Sequence, residues 1–169
     1  MAEEVGAEQV VDQDLVVDVA REVLGRAAPE ELPLLRSASR RYFETPHPAG
    51  HTRRGESEVL GFGTEAVVTL LTPVVLAVVT DVLSHIATEI AAGVGPRGMR
   101  TARAALRRLF RLKPVAPQTE EPDVPAVTSA QLALIRRNAF GRGVALGLPE
   151  EMAQRLADAV VGSMLSSDD

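Results

Sequence analysis

The sequence predicts an all-α protein: a helical bundle organised around one long hydrophobic helix, with a C-terminal helical hairpin after a Pro-rich linker. Three observations carry this. Apolar residues recur at helical spacing in the segments between turn signals. Residues 59–94 form a hydrophobic stretch in which no Gly or Asn turn interrupts 64–92. Its β-branched content would suit buried strands, but strands usually run to fewer than about ten residues. Finally, a Pro-rich acidic run at 114–127 sets that unit apart from two further helical segments. The chain therefore divides into an acidic N-terminal helical hairpin and loop (1–58), a hydrophobic helix plus a basic amphipathic helix (59–113), the linker (114–127) and the C-terminal hairpin (128–169).

The first element is an amphipathic helix over 12–28, with Leu15, Val16, Val19, Val23 and Leu24 on one side and Asp14, Asp18, Arg21 and Glu22 on the other. Acids crowd its first turn, as the helix dipole prefers. Gly25 and Pro29 mark its end, and Pro29-Glu30-Glu31 opens a second helix running towards Phe43, with a break at Pro33. Tyr42 and Phe43 are expected to anchor this hairpin on the core. Residues 45–57 read as an exposed loop; Pro48 and Gly50 argue against a helical metal site at His47 and His51. Gly61-Phe62-Gly63 lacks the rest of any phosphate-binding fingerprint, so Thr64 is read as a helix N-cap with Glu65 in the first turn.

Within the hydrophobic helix, residues 66–80 carry no charge. At 3.6 residues per turn, Ala66, Thr69, Pro73, Ala77, Thr80, Asp81, Ser84, Ala87, Thr88 and Ala91 share a narrow face. Valines, leucines and isoleucines fill the wide remainder, with Leu70, Thr72 and Leu76 as misfits. A stripe of small and hydroxyl residues lets helix backbones approach closely in lipid. Thr69, Pro73, Ala77, Thr80, Asp81, Ser84 and Thr88 are thus the candidate helix-association residues, and Pro73 is read as a kink. The same helix would serve as the centre of a soluble bundle, a reading that burial of Val74, Val78 and Val82 would favour. Asp81, His85 and Glu89 follow at i, i+4 and i+8, an incomplete ligand set that reads more simply as a helix emerging into water.

Gly93 to Pro96 read as a helix stop or hinge, and a basic amphipathic helix follows over 97–113. Arg97, Arg100, Arg103, Arg107, Arg108 and Arg111, with Lys113, oppose Met99, Ala102, Leu106, Leu109 and Phe110. These cations suit anionic headgroups while the apolar side enters the acyl boundary. Nucleic acid competes for the same arginines but ranks lower, because no base-reading module accompanies them. A third reading docks them on the acidic N-terminal region as an intramolecular latch. Beyond the linker, Ser129 is expected to cap a helix to about residue 146, and Gly147 to Glu151 hold a helix stop and the next start. Met152, Leu156, Val160 and Met164 continue at helical spacing, and the lone Arg155 argues against a DNA-reading helix.

The 169 residues favour one domain plus appendages. The net charge of -5 conceals a gradient: net -7 over 1–33, +6 over 34–113 and -4 beyond. Without cysteine there is no disulfide scaffold, thiol nucleophile or Cys-ligated zinc. An acidic N-terminus without an apolar run predicts no signal peptide and residence on the cytoplasmic side. Arg replaces Lys everywhere except Lys113, a bias that fits a GC-rich bacterial coding sequence. No catalytic motif, cofactor fingerprint or metal set emerges, so no enzyme, cofactor or small-molecule substrate is expected. The expected function is a non-enzymatic helical protein that targets or inserts into the cytoplasmic membrane and self-associates or recruits a helical partner, with pore formation as one form. The alternative is a soluble cytoplasmic helical adaptor.

Overall fold

The computed structural model describes residues 11–44, 71–94, 98–112 and 127–165. Among these described residues there are six α-helices and no strand, so the protein is all-α. The helices are α1 (Gln13–Ala27), α2 (Leu35–Glu44), α3 (Leu71–Val94), α4 (Gly98–Leu109), α5 (Ser129–Ala145) and α6 (Glu150–Leu165). A 3-10 turn, Pro29–Leu34, joins α1 to α2.

Helix α1 starts where the sequence supplies a cap. Asp12 is extended, and its carboxylate accepts the Leu15 N–H at 2.8 Å. Leu15, Val16, Val19, Val23 and Leu24 are all buried, as their spacing predicts. The expected second helix divides at Pro33, which lies inside the 3-10 turn, and α2 proper begins two residues later. Tyr42 and Phe43 are half-buried against the core and meet edge to face, their ring centres 5.1 Å apart.

Helix α3 is central, packing against α1, the 3-10 turn, α2, α4 and α5. Its first described residues correct one expectation. The backbone N–H groups of Leu71 and Thr72 donate to the Glu31 carboxylate at 2.9 and 2.7 Å, as orphan donors of a first helical turn do. Pro73 therefore sits where its missing N–H costs nothing; it starts a helix instead of kinking one. Thr64, Glu65 and Leu70 lie outside the described residues. Val75, Val78, Val79, Leu83 and the misfit Leu76 are all essentially inaccessible, Val82 and Ile86 are buried, and Val74 is half-buried. Thr72, the other misfit, is buried because its hydroxyl also donates to Glu31, at 2.6 Å.

Helix α4 packs on α3 and buries Ala102, Ala105, Leu106 and, just beyond its end, Phe110. It closes with Leu112 N–H donating to Arg107 C=O and Arg111 N–H to Arg108 C=O, which puts Arg111 in the left-handed region at φ 52. A side chain in that conformation costs roughly 1 kcal/mol relative to glycine. The same wrapping ends α5, where Gly147, at φ 94, meets the requirement without that cost.

The cap of α5 is Thr128, one residue before the expected Ser129. Its Oγ1 accepts the Gln131 N–H at 3.2 Å, while Gln131 Oε1 accepts the Thr128 N–H at 2.9 Å, a reciprocal capping box that Ser129 has no glutamine to complete. Ile135, Ala139 and Gly143 form the buried stripe of α5 against α6. Helix α6 buries Leu156, Val160 and Met164 together with Ala153, Ala157 and Ala159, and packs on α1 as well. Buried residues from α1, α3, α4, α5 and α6 belong to one continuous hydrophobic cluster, with Leu35 at the start of α2 also part of it.

Candidate functional site

The basic helix does not stand apart from the rest of the chain. Arg103 forms an ion pair with Asp12, and Arg107 donates to Asp18 at 2.9 Å. Asp12 is the N-cap of α1 and Asp18 lies in its second turn, and each makes a further contact. Asp12 caps α1, and Asp18 also accepts Arg21 at 3.1 Å. The arginines are one helical turn apart and so present side by side to α1. Arg107 is the more enclosed, its side chain 12% exposed against 38% for Arg103. Arg108 and Arg111 are exposed, flanked by the half-buried Leu109 and Leu112. Arg97 and Lys113 lie outside the described residues, as does the side chain of Arg100.

The apolar side of this helix lies inward. Ala102, Leu106 and Phe110 are buried and help cover α3.

The hydroxyl stripe of α3 forms the less buried side of that helix, but neighbours partly cover it. Pro73, Asp81 and Thr88 are exposed, whereas Ala77, Thr80 and Ser84 are half-buried; Thr69 lies outside the described residues. Thr80 and Thr88 each donate to the carbonyl four residues back, at 2.7 and 2.8 Å, the local satisfaction a hydroxyl needs on a helix. The Tyr42 hydroxyl donates to Thr80 Oγ1 over a long 3.5 Å, and Arg142 of α5 pairs with Asp81. Burial pushes the Tyr42 phenol above its ordinary pKa, and the Asp81 charge acts in the same direction; the Thr80 hydrogen bond and Arg142 oppose them.

Beside this pair runs an open groove of about 480 Å³ between α3 and α5, with Val78, Val82 and Ile135 forming its apolar part and His85, Arg137 and Asn138 its polar part. Asp81, His85 and Glu89 do not form one continuous ladder. Asp81 turns to Arg142, leaving His85 and Glu89 3.6 Å apart and both about half-exposed. No group of three or more metal-ligating side chains occurs among the described residues. His47 and His51 fall outside them.

Two features escaped sequence reasoning. Glu31 acts as the cap of α3 from 40 residues away. Helical periodicity and the PEE run point only to a local helix start, so no sequence signal could have paired them. The second is a shallow groove of about 610 Å³ on the C-terminal hairpin, where Leu132, Phe140, Val161 and Leu165 meet a basic rim at Arg136 and Arg137. Exposed Leu134 and Val144 lie on the same helix, α5.

No family model, curated protein or solved structure matches this chain.

Proposed function

We propose that this chain is a non-enzymatic helical protein whose resting form is a water-soluble bundle, and that it works by binding another helical protein as an interaction module. The observation that supports this most is the burial of the valine and leucine side of α3 by the protein's own helices. An apolar face already out of water gains little further hydrophobic stabilisation from lipid, because acyl chains are no more apolar than a packed core. The polar stripe at Asp81 and Thr88 then meets water, as in a central soluble helix with one open side. The C-terminal groove supplies an apolar floor of the kind that accepts one face of a partner helix.

A second reading has its own support. Leu71–Ile90 is a 20-residue stretch long and apolar enough to cross a membrane by length and composition, although the core helix of a soluble protein passes the same test. Insertion would require the bundle to open, after which Thr80, Asp81, Ser84 and Thr88 become available for helix association.

Fractionation of the expressed protein separates the two. A protein found in the soluble fraction, monomeric or dimeric without detergent, agrees with the interaction module. Retention in the membrane pellet through both high-salt and carbonate washes sinks it in favour of an inserted α3.

A further inference from the structure

We propose that α1 is an electrostatic latch on α4: Asp12 and Asp18 occupy Arg103 and Arg107, and their release turns the basic face of α4 towards an anionic lipid surface. The proposal deepens the reading of the resting form as a water-soluble bundle and rests on it.

The latch is built from charge more than from packing. Helix α4 lays its apolar side on α3, and two ion pairs tie it to α1. Asp12 and Asp18 have side chains 30% and 31% exposed and Arg103 38%, so water and salt reach the Arg103–Asp12 pair from both sides and the Arg107–Asp18 pair from its acid, Arg107 itself being 12% exposed. A pair as exposed as Arg103–Asp12 contributes modestly to stability and is weakened by salt, which leaves its arginine open to a competing anion. In the closed state Arg108 and, just past the helix end, Arg111 are the exposed cations of this segment among the described residues. Opening adds Arg103 and Arg107 to the same surface.

Lipid fits this face better than nucleic acid. Leu109 and Leu112 border the exposed arginines, placing aliphatic edges beside cations as a headgroup boundary requires. The one aromatic residue of the segment, Phe110, is buried and offers no base a stacking surface. Arg111 holds a left-handed conformation that glycine would adopt without strain, and it keeps a cation at the exposed end of the helix.

The test is flotation of the full chain with vesicles of mixed phosphatidylcholine and phosphatidylglycerol, with phosphatidylcholine alone as the neutral control. The D12N/D18N variant retains an asparagine that still caps α1. Each unit of positive charge gained near an anionic surface multiplies partitioning about fivefold, so removing the two opposing acid charges raises binding on the order of thirtyfold over wild type. Adding R103Q/R107Q to that variant erases the rise. The exchanged pair D18R/R107D, which restores attraction at the same net charge, stays near wild type.

A folded D12N/D18N protein that binds no better than wild type overturns the latch. So does an equal rise on neutral vesicles, which would mean exposed core, and so does a rise on duplex DNA without one on vesicles. Should D12N/D18N lose its helical circular dichroism, D18N alone leaves the α1 cap untouched. It is then expected to rise about fivefold, and no rise in it is equally fatal. Wild-type protein that floats with neutral vesicles defeats the soluble resting form itself; wild type and variants that all stay unbound defeat the latch alone.

Discussion

Two side chains carry positional information that their neighbours in sequence do not reveal. Glu31 accepts three hydrogen bonds at the start of α3, two from backbone N–H groups and one from the Thr72 hydroxyl. Losing a charged acceptor over partly buried donors costs about 2 kcal/mol. Glu31→Ala is therefore expected to lower unfolding free energy by about that much in urea titration, and Glu31→Gln by about half. An unchanged midpoint for the alanine variant would show that α3 does not depend on this cap. Tyr42 is the only tyrosine and there is no tryptophan, so ultraviolet absorbance follows its ionisation alone. Its folded pKa lies above the ordinary 10.0, chiefly through burial. Its contribution to stability is thus intact below pH 10 and is lost as pH rises through the folded value. The folded protein should titrate above the urea-unfolded chain, and Asp81→Asn should lower the folded midpoint by removing a charge that opposes the phenolate.

At the scale of elements, the two glycines of α5 separate propensity from packing. A Cβ on Gly141 would meet nothing within 4 Å, so Gly141→Ala gains helix propensity of about 0.5–1 kcal/mol and should raise the melting temperature. On Gly143 the new Cβ would lie 3.3 Å from Ala153 Cβ and 3.5 Å from its Cα. Neither atom can rotate away, so α5 and α6 would have to move apart. Gly143→Ala is expected to show no such gain, and a gain as large as that of Gly141→Ala would mean that the hairpin is loosely packed at Ala153. By helix propensity alone both glycines weaken α5; only the facing helix shows that one of them permits a close approach.

For the molecule as a whole, the continuity of the core is the deciding property. Leu83 is fully buried within a cluster to which α1, α3, α4, α5 and α6 contribute. Leu83→Ala should cost roughly 3–4 kcal/mol, the range for a core leucine whose cavity cannot fully collapse. Because that core is shared, calorimetry should show one transition displaced to lower temperature. A second transition left in place would identify the C-terminal hairpin as an independent unit.

What the sequence determined by itself was local. The period of Leu15 to Leu24, the break at Pro33, the stop at Gly147 and the spacing of Leu156, Val160 and Met164 all follow from backbone sterics and amphipathicity, which act within a few turns. The two-sided character of α3 was equally legible. Which medium its apolar side meets was not, because lipid tails and a protein interior impose the same pattern on one helix. Only the tertiary structure places five other segments around it, brings Glu31 to Thr72 across 41 residues and Asp18 to Arg107 across 89. Charge asymmetry along the chain showed that acidic and basic segments were available to pair. The choice of partner depended on how the helices pack, since an ion pair forms only between groups that the core has already brought within reach.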